Sequence, residues 1–143
     1  MHFFDLQHTL LAKHAQHIVL VHFPIALVCV ALLFDLLALR WSDRGFAAAA
    51  YLNLSIAAAA VLPVAITGLL AWKWQLEGAP LRGVLRLHLL LGVSSVVMIA
   101  ATWFAAKRTR GSSSSWRIAM EFTTVAVVAV TAHLGGFVSG VNV

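Results

Sequence analysis

Charge is scarce in this chain of 143 residues, where only 10% are Asp, Glu, Lys or Arg. A soluble domain is about one quarter charged, so an aqueous globular fold is excluded. Cysteine occurs once, at Cys29, inside an apolar run. A lone thiol excludes an internal disulfide and the Cys-x-x-Cys-His motif of covalent c-type haem attachment, and an inert core thiol is expected. No serine, carboxylate or glycine-loop constellation accompanies the histidines, which argues against hydrolysis. No internal repeat is visible. The first twenty residues carry one lysine and no small-residue cleavage site, so the first apolar run is expected to stay in the protein as a span. The net charge of +5 does not point to nucleic acid, because the charges sit in short loops between apolar runs, where they set membrane orientation.

What is abundant is apolar: 62% of residues are hydrophobic. A spanning helix needs roughly 20 mostly apolar residues. Four stretches qualify, about Val19–Leu39, Ala48–Trp72, Val84–Ala106 and Trp116–Val138. The expected fold is an all-α, integral membrane, up-down four-helix bundle over residues 19–143. Residues 1–18 mix Phe3, Phe4, Leu6, Leu10 and Leu11 with polar side chains, the pattern of a short amphipathic helix at the surface or against a partner. Arg40, Arg44, Lys107, Arg108, Arg110 and Arg117 fall on one side of this thread, against Lys13, Lys73, Arg82 and Arg86 on the other. The positive-inside tendency assigns the first group to the cytoplasm. Both termini would then lie outside the inner membrane of a bacterium. Trp41, Trp103 and Trp116 would mark the inner interface, and Trp72 and Trp74 the outer one.

Two prolines fall in spans. Pro24 is expected in the first turn or two of the first helix, where a missing N–H matters least. Pro63, mid-span, should kink the second helix and free a carbonyl. Asn53, Ser55, Thr67, Ser94 and Ser95 are expected to hydrogen-bond between helices. Asp35 and Glu121 share a depth near the cytoplasmic end, and either contact Arg117, Arg40 or a polar neighbour such as Thr123, or form a proton-input pair. The structural reading is preferred, because both residues lie close to the interface.

The seven histidines all fall toward one face. His2, His8, His14 and His17 precede the first span; His22 opens it, His88 opens the third and His133 closes the fourth. Ionisable groups within spans are rare and usually functional, and imidazole is the commonest side-chain metal ligand. Three imidazoles on three helices at one level suggest a shared ligand. Gly92 lies one turn deeper than His88 on the same face, where a flat porphyrin would need a helix without side-chain bulk. Gly68, Gly135 and Gly136 lie near the same level. A b-type haem held by two histidines would pair His22 with His88 across the diagonal, leaving His133 to join His17 at a second site or to contact a propionate or a quinone. Pairing His88 with His133 on adjacent helices is the alternative.

The run His17-Ile-Val-Leu-Val-His22-Phe-Pro-Ile-Ala-Leu resembles the His-Pro-x-x-Val-His-Phe-Pro-Ile-Ala-Leu opening of a bacterial four-helix membrane family of unassigned function. Asp35, Thr67-Gly68, His88 and His133-Leu-Gly-Gly also look like that family, and the resemblance covers residues 17 to about 141. Ile18 stands where the family has proline, and Phe137-Val138-Ser139 stands for Leu-Val-Tyr. Family members occur fused to Rieske or c-type cytochrome domains, so the resemblance implies membrane redox work and marks His17, His22, His88 and His133 as family-matching positions.

The function expected from all this is a haem b membrane subunit. It would pass electrons between the quinone pool and an outer-side redox protein: a c-type cytochrome, a Rieske protein or an oxidoreductase subunit. Two rivals stand beside it. One is a non-catalytic anchor of a larger respiratory or photosynthetic complex, with residues 1–18 docking the partner. The other is a copper or zinc site built from His17, His22, His88 and His133.

Overall fold

The computed structural model describes residues 15–109 and 114–140. They form four helices: α1 (Ala15–Arg40), α2 (Phe46–Trp74), α3 (Gly83–Arg108) and α4 (Ser115–Val138). Each is long and apolar enough to cross a membrane. No strand occurs among the described residues. The observed spans contain the expected ones and run further at most ends. α1 begins at Ala15, before the hydropathic run at Val19, so His17 belongs to the first helix. Residues 1–14, and with them most of the expected amphipathic segment, lie outside the described residues.

The connections are short. A 3-10 turn at Ser42–Arg44 ends at Gly45, whose φ of 75° is a left-handed conformation that glycine adopts without steric penalty. Trp41 sits between the guanidiniums of Arg40 and Arg44, 5.8 and 5.7 Å from its ring centre. Between α2 and α3 the Trp72 indole donates to the Ala79 carbonyl at 3.0 Å, folding the loop back onto the helix end.

Packing is antiparallel around a ring. α1 adjoins α2 and α4, and α3 adjoins the same two, so α1 and α3 face each other across the diagonal. The centre is built from small and branched side chains: Val28 and Ala31 of α1, Leu54, Ala57 and Val61 of α2, Ile99 and Ala106 of α3, and Val128 of α4. Alanine lets the backbones approach closely, which is how helices associate where lipid offers no hydrophobic driving force. Large apolar residues such as Leu33, Leu52, Leu62 and Phe122 point outward, as a lipid-facing surface requires. Cys29 is also exposed. The expected core thiol therefore lies on the lipid face. Pro24 is buried nine residues into α1, deeper than expected because the helix starts earlier.

The two ends of the bundle differ. At one end lie Arg40, Arg44, Lys107, Arg108 and Arg117. The other carries His17, His22, His88 and His133. We call them the basic end and the histidine end.

Candidate functional site

Two of the four histidines at the histidine end point into the bundle. His17 and His88 are half-buried, whereas His22 and His133 are exposed. His22 donates from Nδ1 to the Ile18 carbonyl of its own helix at 2.6 Å, which turns its ring along the outside of α1. His133 stacks edge-on against Phe137 of its own helix, with centroids 5.1 Å apart. The expected facing pair of His22 and His88 is thus not what the helices bring together. His17 takes the diagonal place instead and lies within electrostatic range of His88.

Each inward imidazole is seated on a glycine of the next helix. A Cβ built on Gly68 of α2 would lie 2.9 Å from His17 Cε1, and one on Gly135 of α4 would lie 3.1 Å from His88 Cε1. Nothing bulkier than glycine fits under either ring without displacing it. The two helical hairpins therefore repeat one arrangement: a histidine near the start of the first helix rests on a glycine near the end of the second. No repeat is visible in the residue string, because the rest of the two hairpins differs.

The hydrogen bonds set the tautomers. His88 Nδ1 lies 3.0 Å from the Thr131 carbonyl oxygen. A carbonyl carries no proton, so Nδ1–H donates, and in the neutral ring Nε2 holds the lone pair. His17 Nδ1 lies 3.3 Å from Thr67 Oγ1. The Thr67 hydroxyl has its own acceptors in the Pro63 and Val64 carbonyls, at 2.9 and 3.0 Å, so its oxygen accepts from His17 Nδ1–H. The result is two imidazoles, each anchored through Nδ1, which leaves Nε2 as the ring nitrogen free to act as a ligand when the ring is neutral. That is how ligating histidines are oriented at metal centres. Gly92, one turn deeper than His88, has open space where a Cβ would project.

Among the described residues, no group of three or more His, Cys, Asp and Glu side chains comes together in a metal-binding arrangement. Two imidazoles alone are too few for zinc, which takes three or four protein ligands. Two is the number of side-chain ligands that a porphyrin-bound iron would take, since the macrocycle supplies the other four nitrogens.

A polar seam leads away from this site between α3 and α4. The Ser95 and Thr131 hydroxyls meet at 3.0 Å, those of Thr102 and Thr124 at 2.9 Å, and Arg117 donates to Thr109 Oγ1 at 3.1 Å. On α3 and its C-cap the polar positions are 88, 95, 102 and 109; on α4 they are 117, 124 and 131. The seven-residue spacing keeps each set on one face against the partner helix. This heptad of polar residues is the sequence signal for the seam, and the stronger apolar pattern masks it. Ser55, Thr67 and Ser95 bond across helices as expected, Ser55 by accepting from the Trp103 indole at 3.1 Å. Asn53 and Ser94 bond only their own helices.

At the basic end the seam closes on a buried ionic cluster. Arg117 pairs with Asp35 of α1, and its Nε lies 3.6 Å from Glu121 Oε1. Arg117 and Glu121 are each 2% exposed and Asp35 is 0% exposed. The contact of both acids with Arg117 is the structural reading preferred from sequence. Thr123 takes no part: it is exposed and bonds the Ala119 carbonyl.

A family model described as "Predicted membrane protein (DUF2231)" matches residues 13–141. No curated protein and no solved structure matches the chain.

Proposed function

This chain belongs to the DUF2231 family of predicted membrane proteins, and from that premise we propose that it is a membrane electron-transfer subunit holding one b-type haem between His17 and His88. The observation that carries the reading is the matched pair of inward imidazoles on diagonal helices, each held at Nδ1 by a partner on the next helix. When bound, such a haem supplies a one-electron couple. The protein's part is to hold the two rings. Thr67 and the Thr131 carbonyl orient them and raise their basicity at Nε2. Gly68 and Gly135 let them sit flush against the neighbouring helices. The open space over Gly92 leaves room for a flat ring beside α3. His22 and His133 are exposed at the same end, and in this reading they would contact a membrane quinone or a docking protein rather than the iron.

With the basic end in the cytoplasm, the histidine end faces the outer side of a bacterial inner membrane. Electrons would pass between quinol in the membrane and a redox protein docking there. All four described histidines lie at one end, so among the described residues the basic end offers no histidine pair.

The test is an absorption spectrum with metal analysis of the purified protein, expressed with haem in ample supply. The reading expects a reduced α-band of haem b and iron in equal amount with the chain. A protein without the band, or one carrying copper or zinc in place of iron, would overturn it.

A further inference from the structure

The lipid-facing surface between α3 and α4 is not flat. A groove of about 360 Å³ runs along it, walled by Met98 and Ala101 of α3 and by Trp116, Ala119, Met120 and Thr123 of α4. Ala101 and Ala119 keep it open, where neighbouring outward positions carry Val97, Phe104 and Phe122. Its floor is the Thr102–Thr124 hydroxyl pair, closed at 2.9 Å. The Thr123 hydroxyl donates to the Ala119 carbonyl at 2.9 Å, and that of Thr124 to the Met120 carbonyl at 2.8 Å. These hydroxyls are hydrogen-bonded within the protein, so covering them with hydrocarbon leaves none stranded. The unbranched side chains of Met98 and Met120 adapt to an irregular apolar occupant.

The basic end of the groove carries a cation. Ala101 and Arg108 are seven residues apart, which puts them on one face of α3. The Arg108 side chain turns back along the helix, with its guanidinium carbon 4.4 Å from the centre of the Phe104 ring. That brings the charge one turn nearer the groove than the Arg108 backbone. Lys107 is on the other side of the helix. It lies 5.3 Å from the ring of Trp103, whose indole reaches across to Ser55 of α2. Both cations are exposed, and the sequence has no acid between Glu77 and Glu121. Met98 lies ten residues from Arg108 on the same helix, or about 15 Å along the axis. That is the depth of one leaflet in a hydrocarbon core of about 30 Å.

We propose that the α3–α4 groove binds an anionic phospholipid, with one acyl chain lying from Trp116 to Met98 and the phosphate on Arg108. A leaflet-deep apolar groove under a guanidinium matches an acyl chain joined to an anionic headgroup. The planar guanidinium takes phosphate oxygens two at a time, and basic pockets between helices at a membrane surface collect such headgroups. The site stands independently of the histidine end and of what binds there.

Native mass spectrometry of the full chain, released from micelles supplied with phosphatidylglycerol or phosphatidylcholine, tests this. The wild type should retain one phosphatidylglycerol per chain in preference to phosphatidylcholine. Arg108→Gln should weaken that binding about ten-fold or more, as loss of a charged hydrogen bond does. Lys107→Gln removes the same charge from the other side of the helix and should cost no more than about five-fold. Ala101→Leu with Ala119→Leu fills the groove, keeps both cations and should abolish retention. Both alanines are exposed, so leucine there leaves the core intact, and circular dichroism confirms the fold. Equal retention of the two lipids, an Arg108→Gln protein that binds no more weakly than Lys107→Gln, or binding that survives the filled groove would overturn the proposal. So would chains that emerge as lipid-free dimers, because a second copy would then cover this face.

Discussion

Arg117→Met should be among the most damaging single substitutions in the chain. Arg117 is 2% exposed and holds three partners at once: Asp35, Glu121 through Nε at 3.6 Å, and Thr109 Oγ1 at 3.1 Å. Methionine fills much of the same space without a charge. It takes from two buried carboxyl groups the guanidinium they share in the core of a membrane bundle. Removing one partner of a buried ion pair costs about 3–5 kcal/mol, against about 0–1 kcal/mol for a solvated pair. The cost arises from the stranded acids rather than from the lost guanidinium. Replacing all three residues with apolar ones, as Asp35→Leu, Arg117→Met and Glu121→Leu together, should therefore restore most of the stability. Reversible unfolding in mixed micelles, followed by circular dichroism, measures both variants. An Arg117→Met protein within about 1 kcal/mol of wild type would refute the burial argument. A triple variant as unstable as the single one would show that the loss came from packing.

Gly68→Ala should weaken haem binding. The new methyl group would start 2.9 Å from His17 Cε1, and ordinary carbon contacts are about 3.5–4.0 Å. The ring must retreat from Thr67, losing a hydrogen bond of about 1 kcal/mol and roughly five-fold in affinity, read by haem titration. Gly92→Leu should leave helical content unchanged but prevent haem loading, because its side chain would fill the open space over Gly92 that the proposed ring uses. Thr102→Val should destabilise the bundle modestly, by about 0.6 kcal/mol, since the Thr124 hydroxyl keeps the Met120 carbonyl as partner; micelle unfolding would show it.

The spans were legible because twenty apolar residues in a row mean the same thing in any bilayer protein. The face each residue presents was not. In water an apolar stripe marks the buried side of a helix, but in lipid the outer face is as apolar as the core. Nothing in the run around His22 says that it turns outward or that Cys29 faces lipid. His17 was assigned to the segment before the first span for a related reason. Gln16 and His17 interrupt hydropathy, although the helix continues through them. The polar residues carried the orientation. The heptads 88, 95, 102, 109 and 117, 124, 131 name the α3–α4 seam, and Arg117 with Asp35 and Glu121 ties α4 to α1. The seating of His17 on Gly68 has no local signal, since it joins residues 51 positions apart on separate helices.

Electron paramagnetic resonance of the oxidised, haem-loaded protein tests the central claim most directly, because the iron spin state reports its axial ligands. The account predicts a low-spin signal for two imidazoles, lost or converted to high spin in both His17→Ala and His88→Ala and kept in His22→Ala. A low-spin signal that survives His17→Ala, or one abolished by His22→Ala, would contradict it.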